Sequence, residues 1–287
     1  MKRWILGARP RTLPAAVVPV VVGSVICNGL GGAHWSRAVL ALIVSLLLQI
    51  GVNYANDYSD GVRGTDKVRV GPMRLVASGA ASPQSVKMAA FIAFGVAAGV
   101  GMVLALMTSL WVLPVGVAAL LAGWFYTGGK NPYGYIGLGE IFVFVFFGLV
   151  ATVGTTYVVL ERIPAMAWLQ GVAVGSLACA LLVVNNLRDI PTDQEVGKRT
   201  LAVRLGDSRT RVLFEILLIV GILSGVIASL SNSWSLILLL CFIPAMKPIN
   251  LVRRGVKSRG LIAVLEATGQ VQIVFGALSL VAFLAGR

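Results

Sequence analysis

The sequence predicts an all-α fold: a polytopic membrane helix bundle of about nine transmembrane helices, with a cytoplasmic N-terminus, an internal pseudo-repeat, and residues 1–287 forming a single domain. Three observations carry this expectation. The chain is 57% hydrophobic and only 12% charged, with a mean hydropathy of +0.89, whereas a soluble domain is about one-quarter charged. Charge-free stretches long enough to cross a bilayer recur along its whole length. Its basic residues fall almost entirely into alternate connecting segments. A soluble globular enzyme, a disordered protein and a nucleic-acid binder are all excluded by this composition, in spite of the net charge of +13.

A spanning helix needs about 20 mostly apolar residues. Residues 12–36 carry no formal charge and hold a first span, which reads as retained because no small-residue cleavage site follows a short apolar core. Residues 38–56 hold a second. Residues 88–129 are charge-free and hold the third and fourth, broken near Thr108 and Ser109. A fifth lies in 137–159, interrupted only by Glu140, and a sixth in 163–187. Residues 212–246 hold two shorter spans around Ser231-Asn232-Ser233, and 267–286 the ninth. With the N-terminus inside, the inner segments 1–11, 57–87, 127–136, 188–211 and 247–260 hold 21 of the 24 Lys and Arg, and the outer ones only Arg37, Arg162 and Arg287. That asymmetry is the positive-inside pattern of an odd number of crossings. Cys27, Cys179 and Cys241 are isolated and His34 is the only histidine, so no Cys/His zinc site is expected.

Six of the eleven acids fall into two short segments on the inner side: Asp57, Asp60 and Asp66, then Asp189, Asp193 and Glu195. Each segment follows the end of a span. On a continuing helix Asn56 and Asp60 are one turn apart, as are Asn185, Asp189 and Asp193 in succession, so each set lines one helix face. The shared Asn-x-x-x-Asp suggests the internal repeat. Carboxylates crowded at the edge of a low-dielectric region repel one another, and a hard divalent cation relieves that repulsion. Mg2+ is commonly shared between carboxylates and phosphates, so two facing clusters are expected to hold two such ions with a diphosphate between them. Between the clusters lie Tyr126 and Lys130. Lys130 is the lone base of its loop, suited to neutralising a departing diphosphate. Arg11, Arg188, Lys198 and Arg204 are further diphosphate candidates.

Asn-Asp-x-x-Asp with a following Asp, Tyr-x-x-x-Lys, and Asp-x-x-x-Asp, in this order in a nine-span chain, resemble the UbiA superfamily of intramembrane aromatic prenyltransferases. The stretches 8–15, 53–60, 186–193 and 198–206 are similar to its menaquinone branch. One departure stands out: five residues separate Asp60 from Asp66, where the commoner motif has three.

The resemblance implies Mg2+ ligands at Asp57, Asp60, Asp66, Asp189 and Asp193, with Asn56 and Asn185 beside them. It implies transfer of a polyprenyl chain from polyprenyl diphosphate to 1,4-dihydroxy-2-naphthoate, with loss of CO2 and diphosphate, in the plasma membrane, at a site on its cytoplasmic side. Membrane lipid is then the surrounding partner and no nucleic acid is involved. An allylic cation formed in such a site must be kept from water, and the faces of Tyr126 and Tyr58 are suited to stabilise it. Two rivals fit less well. The start of a CDP-alcohol phosphotransferase motif at Asp57-x-x-Asp60-Gly61 lacks the Ala-Arg that should follow. A secondary transporter would carry its acids near the bilayer midplane, not at span ends.

Overall fold

The computed structural model describes residues 2–28, 30–65, 73–230 and 234–285, and their regular structure is helical throughout. Helix α1 is Lys2–Gly7, α2 Pro14–Val25, α3 Trp35–Arg63, α4 Pro83–Met107, α5 Val112–Phe125, α6 Gly139–Val143, α7 Gly154–Leu160, α8 Ala165–Glu195, α9 Leu201–Ala228, α10 Phe242–Arg253 and α11 Gly260–Ala285. A π-helical stretch, Phe144–Val153, joins α6 to α7 into one apolar rod.

Among the described residues, seven helices are long and apolar enough to cross a membrane. An eighth crossing arises if the segments Arg3–Thr12 and Pro14–Val25, bent by 49°, act together. The apolar α5 has 14 residues, about 21 Å of helix against a hydrocarbon core of about 30 Å. The expected first span over 12–36 falls on that bent pair, and the nine crossings expected stand at seven or eight candidates among the described residues. The helix of that first span stops at Val25, the next starts at Trp35, and the entry side is made by a turn that Pro10 and Pro14 impose. The expected break near Thr108 falls between α4 and α5. The Ser231-Asn232-Ser233 turn lies outside the described residues.

Helix α8 is the axis of the bundle. Its apolar window is 72% buried, against 28–44% for the other six long helices. The outward faces of those helices carry exposed Leu106, Ile216, Ile243 and Met246, an apolar surface suited to lipid. Against α8 pack α9, α11 and the π-helical stretch, burying Val22, Leu177, Phe214, Leu218, Ile222 and Phe275. A Cβ on Gly148 would lie 2.5 Å from Gly175 Cα and 2.7 Å from the Gly171 carbonyl. Bare backbone at all three positions is what lets the widened π turn seat on α8.

Two lengths position the polar end of the molecule. Helix α8 has 31 residues, about 46 Å, so its last turns outrun the apolar layer and carry Asn185, Asp189 and Asp193 beyond it. Helix α3 does the same for Asn56 and Asp60 over 29 residues. It ends where Gly64, at φ 72°, turns left-handed and returns its N–H to the carbonyls of Asp60 and Gly61.

Candidate active site

The polar ends of α3 and α8 converge on a cavity of about 720 Å³. Its mouth is ionic and its interior apolar, where Val143, Phe147, Leu181 and Leu182 face Leu265 and Ile273 of α11. Five cationic side chains (Arg9, Arg11, Arg74, Arg188, Lys198) and four acids (Asp60, Asp189, Asp193, Glu266) line it, a balance that favours an anionic guest.

Asp60 is the hub. It is 4% exposed, and a carboxylate so buried must be paired. The Tyr135 hydroxyl donates to its Oδ1 at 2.6 Å, Lys198 Nζ stands 3.5 Å from the same oxygen, and Arg74 Nη2 lies 3.7 Å from Oδ2. Lys198 Nζ is also 3.9 Å from Asp193 Oδ1. One ammonium thus lies between a carboxylate of α3 and a carboxylate of α8, so the two acidic segments face each other across a gap that one lysine head group bridges. Lys198 is held there by its own backbone, which donates to the Asp193 carbonyl at 2.8 Å, while Arg199 N–H donates to the Tyr135 carbonyl at 2.8 Å. On α8, Arg188 grips Asp189 through two bonds, 2.7 and 2.8 Å, and reaches Asn185 Oδ1 at 2.9 Å.

The loop after α5 closes another wall. Thr127 donates to Asn56 Oδ1 at 2.7 Å, and the Arg63 guanidinium binds the Thr127 and Gly129 carbonyls. Tyr126 lines the cavity and meets Tyr133 edge to face, centroids 5.5 Å apart. The Tyr135 ring lies under both Lys198 and Arg63, at 4.3 and 5.2 Å. Burial first, then the adjacent Asp60 charge, pushes the Tyr135 phenol well above its ordinary pKa, so it stays a donor.

The sequence candidates divide. Asn56, Asp60, Tyr126, Asn185, Arg188, Asp189, Asp193, Lys198 and Arg11 all line the cavity. Asp57 does not. It is fully buried and accepts the Leu75 and Val76 N–H groups at 2.7 and 3.0 Å, which ties the loop after α3 to that helix. Lys130 is exposed and outside the lining, as is Arg204, whose Nε donates to the Arg199 carbonyl at 3.2 Å. Tyr58 stacks on Trp124 beneath Lys87, away from the cavity. Asp66 lies outside the described residues.

Sequence reasoning missed Arg74, Gln49, Asn186 and Glu266. Nothing in the sequence separates Arg74 from other loop cations. Gln49 had a signal: with Asn53, Asn56 and Asp60 it forms a polar stripe at helical spacing along α3.

Among the described residues, no three His, Cys, Asp or Glu side chains gather round one point. The carboxylates instead hold cationic side chains. The donor set is nonetheless all hard oxygen (carboxylates of Asp60, Asp189 and Asp193, amide oxygens of Asn56 and Asn185) with no sulfur or imidazole on the cavity wall. Such a set fits Mg2+ and fits few softer ions.

Residues 16–261 match the UbiA prenyltransferase family. Over 274 residues the chain is 49% identical to the 1,4-dihydroxy-2-naphthoate octaprenyltransferase of Mycobacterium tuberculosis, covering 95% of this chain and 94% of that one. It is 36% identical to the enzyme of the same name from Escherichia coli, covering 92% and 89%. In fold it is similar to a UbiA homologue from Archaeoglobus fulgidus bound to GPP and Mg2+, with TM-score 0.72, 16% identity and coverage of 98% and 99%. A UbiA homologue from Aeropyrum pernix matches with TM-score 0.73 at 14% identity, covering 98% of each chain.

Proposed function

The chain belongs to the UbiA prenyltransferase family, and from that premise we propose that it transfers a polyprenyl chain from polyprenyl diphosphate to 1,4-dihydroxy-2-naphthoate. Carbon dioxide and diphosphate leave, and the ring keeps its two hydroxyls, so the product is demethylmenaquinol, the quinol form of demethylmenaquinone. The observation that carries this reading is the single cavity in which an ionic mouth adjoins an apolar interior. A substrate with a diphosphate head and a hydrocarbon tail needs both in one space. The enzyme works in the plasma membrane with its ionic mouth on the cytoplasmic side, and handles lipid-dissolved substrates and no nucleic acid.

Asp60, Asp189 and Asp193, with the amide oxygens of Asn56 and Asn185, would hold Mg2+, two ions in all. When bound, Mg2+ offsets charge on the diphosphate as the allylic C–O bond breaks. Lys198 and Arg74 then turn from Asp60 to the diphosphate oxygens, and Arg188 and Arg11 supply further positive charge. The Tyr126 ring faces the allylic carbon and stabilises its developing positive charge. The apolar interior keeps water from that carbon until the electron-rich dihydroxy ring attacks it. No nucleophilic side chain is needed.

A membrane assay with labelled prenyl diphosphate tests the reading. Dihydroxynaphthoate, 4-hydroxybenzoate and homogentisate are offered in parallel, with and without Mg2+. Transfer to dihydroxynaphthoate that disappears with the metal is the expected result. Transfer to 4-hydroxybenzoate alone would overturn the acceptor.

A further inference from the structure

We infer that Gln49 is a specificity-determining residue for the acceptor: its amide oxygen receives a hydroxyl of the aromatic ring and sets the ring's orientation in the cavity. The inference deepens the proposed reaction and rests on it.

Gln49 lines the cavity wall and is 7% exposed. The orientation of its amide follows from a chain of donors. The Thr12 hydroxyl gives its only proton to the Arg9 carbonyl at 2.9 Å, so toward other groups it can only accept. It accepts from Asn53 Nδ2 at 2.9 Å and from Gln49 Nε2 at 3.1 Å. Asn53 Nδ2 donates also to the Ala8 carbonyl at 2.9 Å, which leaves Asn53 Oδ1 to accept Gln49 Nε2 at 3.4 Å. Turning the Gln49 amide over would set its oxygen against two acceptors. Its nitrogen is therefore committed, and its oxygen, Oε1, is buried with no hydrogen-bond partner. A buried acceptor without a donor weakens the fold unless a ligand brings one.

Only one group on the two substrates can do so. An ionised diphosphate accepts and does not donate. The prenyl chain is hydrocarbon. The carboxylate of the acceptor also only accepts. The ring hydroxyls are the sole O–H donors. Gln49 stands on the same stripe of α3 as Asn56 and Asp60, three turns before the carboxylate assigned to the diphosphate end. A hydroxyl bound there holds the ring beside the reacting carbon without removing a proton, since an amide is too weak a base. Replacing that hydroxyl by an ether leaves Oε1 unpaired, and a site built around an O–H rejects analogues that lack it.

The experiment uses the full-length chain in membranes. The ratio of kcat/KM for dihydroxynaphthoate to that for each of its monomethyl ethers is measured in the wild type, in Gln49→Met and in Gln49→Glu. The expected wild-type preference for the hydroxyl over one of the ethers is about tenfold or more. In Gln49→Met that preference collapses toward one and the acceptor KM rises about tenfold, while the KM for prenyl diphosphate stays put. Gln49→Glu, buried and therefore protonated, donates its O–H to Thr12 as the amide did and keeps an acceptor oxygen toward the cavity, so it retains the preference. Each ratio is taken within one protein, so loss of folded enzyme cancels. A preference that survives in Gln49→Met, or a prenyl diphosphate KM that rises in step with the acceptor KM, overturns the assignment and leaves Gln49 as an anchor for the N-terminal segment. If the wild type ignores dihydroxynaphthoate, the acceptor reading fails separately, and the same ratio on the hydroxylated ring it does take decides Gln49.

Discussion

Asp60 has three cationic or donor partners and Asp189 a bidentate guanidinium. Asp60→Asn and Asp189→Asn are isosteric and remove the charge alone. Each should lower transfer by about a hundredfold or more while the protein still inserts, measured as turnover per enzyme in isolated membranes. Near-normal turnover in both would remove them from the metal site. Lys198 touches both acidic segments, whereas Lys130 is exposed outside the cavity. Lys198→Ala should therefore slow transfer more than Lys130→Ala. The reverse order in a side-by-side rate measurement would return the diphosphate role to the loop lysine. Tyr135 has a folded pKa raised above its unfolded value. Its contribution is thus present below the ordinary phenol pKa and lost only as pH rises through the higher folded one. Tyr135→Phe should abolish that alkaline loss of thermal stability and leave the curve near neutral pH parallel to wild type.

At the scale of elements, the helices and half of the site were legible because both follow periods. Apolar runs mark spans, and Asn56/Asp60 and Asn185/Asp189 share a face because a turn of helix is a turn of sequence. What period cannot tell is which neighbour a face meets. Asp57 lies one residue from Asn56, and that rotation turns it from the cavity toward the Leu75 and Val76 amides. Lys130 sits in a loop with no period at all, and Arg74 in a segment whose docking depends on Asp57. The bend in the first span was not legible, because charge-free sequence from 12 to 36 carries no mark of the turn before Pro14 or of the break after Val25. The seat of the π-helical stretch on α8 gives a direct test. Gly148→Leu has no room beside Gly175 and Gly171 and should cost about 1–3 kcal/mol of stability, read as a lower Tm in detergent. An unchanged Tm would mean that the stretch can reseat freely.

For the whole molecule, the inner half of the cavity is apolar and the mouth carries the charge, so metal and lipid act on different ends. Chelation should abolish transfer without unfolding the bundle, and added Mg2+ should restore it. A loss of helix by circular dichroism on chelation would instead make the ion part of the fold. The two acidic segments meet at one end of the bundle. The acids assigned to the diphosphate, and the bases that hold them, occupy segments that the Lys and Arg distribution assigned to one face.

At the wall of the cavity Arg11 pairs with Glu266, 2.7 Å away and 255 residues apart in the chain. During synthesis the arginine leaves the ribosome 255 residues ahead of its partner, which follows only with α11. A nascent chain interrupted between α8 and α11 therefore holds both acidic segments yet lacks one side of the entrance. Assembly order thus delays competence until α11 has been made.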